Sequence, residues 1–120
     1  VFGLRGAAGR VVGLAMHAVV SLGIGVIYAA GFQVLGLREP LFLWGLVGGA
    51  VHWLFAGLFL AVVPSMHPEI PDQLQVPGAF ARNFGGADVA AFLAGHLLYG
   101  LSFGVVYALL HPAGRAAAAF

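Results

Sequence analysis

Apolar residues run through this chain in three long blocks, and charged residues stand only between and beyond them. No Asp, Glu, Lys or Arg lies within 11–37, 40–63 or 89–110, uncharged runs of 27, 24 and 22 residues. About 20 such residues suffice to cross a bilayer's hydrocarbon core as an α-helix. A helix of a soluble domain keeps one charged face, and none of these runs has one. The pattern predicts an all-α integral membrane protein with three transmembrane helices, at about 10–35, 40–63 and 88–111. Residues 1–120 read as a single transmembrane helical domain, with 64–87 as an extramembrane loop holding four of the six prolines.

Local punctuation refines those limits. Leu37-Arg38-Glu39 allows only a tight reversal, which makes the first two helices antiparallel neighbours. Pro40 suits a first helical turn, and Pro64 ends the second helix. Asp88, after Gly85-Gly86, is expected to cap the third, and His111-Pro112 closes it. In the loop, Phe80 and Phe84 suit the membrane interface. Arg5, Arg10 and Arg82 fall on one side and Arg38 and Arg115 on the other, so the charge bias leaves orientation open.

Residues 14–29 and 93–108 match at a constant offset of 79, with eight of sixteen positions identical. The match carries His17 onto His96 and Tyr28 onto Tyr107. Steps of 4, 7 and 11 keep one helical face, so His17, Ser21, Ile24 and Tyr28 form a stripe. His96, Gly100, Phe103 and Tyr107 form its counterpart. The expectation is an internal repeat relating helices one and three, which would then run parallel.

Glycine is spaced for helix packing. Gly9/Gly13, Gly45/Gly49 and Gly100/Gly104 are Gly-xxx-Gly pairs, and Ser21/Gly25 is a small-xxx-small pair. Lipid exerts little hydrophobic force between helices, so close backbone approach over small residues supplies much of the adhesion. Helix two carries a stripe of Gly45, Gly49, His52 and Ala56. Three helices need fewer such faces than this, so at least one, foremost Gly45/Gly49 or Gly100/Gly104, is expected to meet other membrane protein subunits, copies of this chain, or a helix upstream of Val1.

Each helix also carries one histidine at depth. His96 lies about 10 Å and His52 about 16 Å from the side where helix three begins, at 1.5 Å per residue. His17 is level with His96 by the repeat. An ionisable side chain at such depth is a functional candidate, and neutral imidazole ligates haem and other metals. The same histidines can instead donate structural hydrogen bonds to carbonyls or to Ser21, Ser102 or Tyr99. Proton or substrate handling is a third role. His52 stands beside Trp53, whose usual place is the interface rather than the core. A haem or (bacterio)chlorophyll, a lipid or a neighbouring chain would account for that pair, and His52 is expected to contact something outside its own helix, by a hydrogen bond to a neighbouring helix or by ligating a haem or chlorophyll metal. Tyr28, Trp44 and Tyr107 read as interfacial anchors.

The remaining signals are exclusions. The chain has no Cys and a net charge of +1, which excludes thiolate metal sites and a basic nucleic-acid footprint. His67, Glu69 and Asp72 in the loop make a weak metal set. No nucleophile motif, phosphate loop or intramembrane acid pair points to an enzyme.

The segment Gly95-His96-Leu97-Leu98-Tyr99-Gly100 through Gly104-Val105-Val106-Tyr107 resembles small bacterial multi-helix membrane proteins of unknown function. Their terminal helix has the form His-Leu-x-Tyr-Gly-x-x-x-Gly-x-x-Tyr. It follows a His-Trp helix, here His52-Trp53, and a Met-His-Pro loop, here Met66-His67-Pro68. The resemblance implies a four-helix unit with one helix before Val1, and a bacterial inner membrane. It brings no activity. Haem-binding anchor subunits of respiratory complexes are similar in helix count, but their Arg-adjacent histidine motifs are absent here. The leading expectation is a non-enzymatic accessory subunit of a respiratory or photosynthetic complex. A haem- or chlorophyll-binding subunit and a small repeat-built transporter are the alternatives.

Overall fold

A computed structural model describes residues 6–112, so Arg5 and Arg115 lie outside the described residues. It is all-helical, with α1 at Gly6–Val34, α2 at Leu41–Phe59 and α3 at Gly86–Leu110. Two short 3-10 turns, Val63–Ser65 and Ala79–Ala81, interrupt the loop between α2 and α3. No strand occurs among the described residues. The three helices have 29, 19 and 25 residues, and all are long and apolar enough to cross a membrane. At 1.5 Å per residue they span about 43, 28 and 37 Å, against a hydrocarbon core of about 30 Å. This is a multi-pass membrane protein.

The chain divides into two compact units, 1–36 and 37–120. The first is α1. It stops where Gly36 takes φ +60°, the left-handed conformation that glycine adopts without steric cost. There the Gly36 N–H donates to the Gln33 carbonyl at 3.1 Å, serving one of the helix's last acceptors. His17 is exposed, while Ser21 and Gly25 are half-buried. Tyr28 is buried with Phe32, one turn on, at 6.5 Å between ring centroids.

In the second unit, α2 begins after Pro40, which serves as its N-cap rather than lying in its first turn. The Leu41 N–H donates to Glu39 Oε2 at 3.1 Å, placing a carboxylate at the positive end of the helix. The helix ends at Phe59, four residues short of the expected 63. Pro64 explains the difference. It has no N–H for the Leu60 carbonyl, and its ring crowds that carbonyl. The chain therefore tightens early, with Val62 N–H bonding the Phe59 carbonyl at 2.8 Å.

At the start of α3, Gly85 at φ +125° is the cap. Asp88 sits inside the first turn, where the helix dipole still favours its charge, instead of capping. At the other end, His111 Nδ1 lies 3.1 Å from the Tyr107 carbonyl oxygen. The rings of Phe103, Tyr107 and His111 stack in succession, 5.8 and 4.2 Å apart, and Pro112 follows.

α2 and α3 run antiparallel, and the core of this unit is backbone more than side chain. Its buried residues on the helices are Leu41, Gly45, Gly49, Gly57, Gly100 and Gly104. The internal repeat gains no support: His96 is half-buried between helices, whereas His17 is exposed.

Candidate functional site

The site is built on the glycine seam. A Cβ on Gly45 would strike the Gly100 carbonyl oxygen, and one on Gly100 would strike that of Gly45. A Cβ on Gly49 would come within 2.5 Å of the His96 carbonyl oxygen, and one on Gly104 within 2.5 Å of Leu41's. All four obstacles are backbone, which cannot rotate aside. The two Gly-xxx-Gly faces thus pack on each other within this chain, so neither is free for the outside partner that the surplus of glycines suggested. That close approach carries the histidines with it.

His52 of α2 and His96 of α3 meet at 4.6 Å between ring centroids, nearly perpendicular at 75°. Phe92 flanks His96 at 4.5 Å, and Tyr99 lies 6.1 Å from His52. His96 Nδ1 is 2.7 Å from the Phe92 carbonyl oxygen. A carbonyl only accepts, so Nδ1 is the donor, and in the neutral ring the lone pair is then on Nε2. His52 meets the neighbouring helix in an edge-to-face ring contact of the kind that aromatic pairs prefer.

As a ligand set, the pair is constrained. Two axial imidazoles grip a metal with their nitrogens about 4 Å apart and their ring centres farther still. The His52 and His96 rings, closer than that and perpendicular, leave no slot between them for a macrocycle. A single imidazole acting outward is the arrangement they permit. Among the described residues no three His, Asp or Glu side chains converge to hold a metal ion, including His67, Glu69 and Asp72.

One turn beyond Gly49, the same i, i+4 stripe continues through Trp53 to Gly57. Here the cover is the loop and not α3. Phe80, from the turn Ala79–Ala81, lays its ring where a Cβ of Gly57 would be. The ring lies 4.6 Å from that of Trp53, tilted by 43°. Phe80 and Ala81 reach this place with φ of +58° and +61°, left-handed values uncommon for residues that carry a Cβ. Asn83 clamps the approach. Its Nδ2 donates to the Val76 carbonyl at 3.1 Å, its N–H to that of Pro77 at 3.0 Å, and its own carbonyl accepts Gln75 Nε2 at 2.6 Å.

Gly57 and Phe80 were not singled out by sequence reasoning as partners of Trp53. The regular spacing Gly49, Trp53, Gly57 was the available signal. Trp44 is exposed on α2, and Tyr107 joins the stack at the end of α3. Comparison with protein-family models, with curated proteins and with solved structures finds no match for this chain.

Proposed function

We propose that this chain is a non-enzymatic accessory subunit of a larger membrane assembly, in a bacterial inner membrane and of the respiratory or photosynthetic kind. The observation that supports the reading is the apolar surface left uncovered. Val11, Leu14, Val19, Val20, Leu22, Val26 and Ile27 are all exposed along α1. Val47, Phe55 and Leu58 on α2 and Leu98, Val106 and Leu109 on α3 are exposed too. Lipid covers part of such a surface, and neighbouring subunits are suited to the remainder. The reading also accords with the residue types, which offer packing and no nucleophile or acid pair. Extraction of a tagged chain in mild detergent, followed by native electrophoresis and mass spectrometry, tests it. The expected result is a stoichiometric complex with other membrane proteins. A monodisperse single chain would overturn it.

A second reading has one observation in its favour, two imidazoles in contact within membrane-spanning helices. On it, His52 or His96 gives one axial ligand to a haem or (bacterio)chlorophyll lying outside the pair. The absorption spectrum of the purified protein decides, since a bound macrocycle absorbs strongly in the visible. The transporter reading rested on the repeat, and falls back with it.

A further inference from the structure

The contact of Phe80 with Trp53 and Gly57 has three features that simple loop anchoring leaves unexplained. First, the loop reaches it through two consecutive non-glycine residues in the left-handed region, a conformation retained only where the surroundings hold it. Second, the ring lies in a notch that exists only because residue 57 has no side chain. Third, the Trp53 Nε1–H is buried and makes no hydrogen bond among the described residues. A phenyl ring fills the notch in shape and brings no lone pair to the tryptophan beside it. Buried indole N–H groups usually find an acceptor.

We propose that Phe80 is a self-supplied plug in a berth for a flat, membrane-soluble ring bearing a carbonyl oxygen, a molecule of the quinone class. Such a ring displaces Phe80, lies over Gly57 with its carbonyl edge toward the rim of Trp53, and accepts the Trp53 indole N–H. Binding then satisfies the buried donor and releases the left-handed turn. Leu54, Phe55 and Leu58 are exposed around this end of α2, so the approach is from lipid. The proposal concerns binding alone and includes no electron transfer. It is independent of whether the chain is an accessory subunit.

The test uses the full chain in detergent micelles with nitrogen-15-labelled indoles. The chain has two tryptophans, and Trp44→Phe assigns the two N–H signals. The probes are menadione and 2-methylnaphthalene, which share a fused ring skeleton and a methyl group but differ in the carbonyls. Menadione is expected to move the Trp53 indole proton downfield and saturably, with Trp44 unmoved and 2-methylnaphthalene without that effect. Phe80→Ala should tighten menadione binding about tenfold, as when the competent state of the intact protein is populated about a tenth of the time. Gly57→Val should abolish the shift. If menadione moves both indoles alike or without saturation, or if both probes move Trp53 equally, the berth does not exist. If Phe80→Ala fails to fold, the comparison of the two probes on the unaltered chain decides alone.

Discussion

Gly45 and Gly100 lie so close across the α2–α3 seam that a methyl group on either meets the other's carbonyl oxygen. Gly95, five residues earlier on α3, has nothing within 4 Å of its would-be Cβ. The same substitution should therefore have opposite signs at the two sites. Gly100→Ala is expected to destabilise by about 1–3 kcal/mol, the usual cost of forcing atoms into a packed contact. Gly95→Ala should gain about 0.5–1 kcal/mol from helix propensity. Equilibrium unfolding of the two variants in mixed detergent checks both, and equal effects would remove the seam from the account.

The ring contact between His52 and His96 should appear as a pairwise coupling. In a double-mutant cycle with His52→Leu and His96→Leu, about 0.5–1.5 kcal/mol of interaction is expected, as for other aromatic pairs. His96→Leu alone also loses the bond to the Phe92 carbonyl, which the cycle subtracts. Strict additivity would mean that the rings are neighbours without interaction.

Asn83 ties the loop through three hydrogen bonds, two of them from its backbone. Asn83→Ala removes only the side-chain bond to Val76, at a cost of about 1 kcal/mol. Amide exchange across 75–84 should speed several-fold while α2 and α3 keep their protection. Unchanged exchange there would show that the backbone bonds hold the loop unaided.

Pro64 sets the end of α2, so replacing it should move that end. Pro64→Ala restores a donor for the Leu60 carbonyl and removes the ring's clash. The helix is expected to lengthen by about one turn. Carbon chemical shifts of residues 60–64 report this directly, and coil values there in the variant would assign the stop to another cause.

Much of the fold was legible because the membrane imposes a coarse rule. Uncharged runs of sufficient length locate three helices whatever packs against them. Their ends were less legible. Pro64 acts on residues before it, which shortens α2, and Gly85 competes successfully with Asp88 for the cap. The Gly-xxx-Gly pairs announced close packing but not the partner, since a bare face fits any other bare face. For the same reason His52 was legible as a contact residue and His96 as its counterpart was not. Phe80 was the least legible, because its left-handed backbone follows no local propensity and depends on the notch at Gly57.

A seam made of two backbones also works as an index. Sliding α3 by one residue against α2 would bring Leu101 or Leu46 to where only glycine fits. Sliding it by a whole turn would take Gly45 off the Gly100 carbonyl and Gly49 off that of His96. In the observed setting the room left by each of the four glycines is taken by backbone of the other helix. That setting aligns His52 with His96 and leaves the Trp53–Gly57 end of α2 to the loop, so four residues without side chains decide where the chemically interesting ones stand.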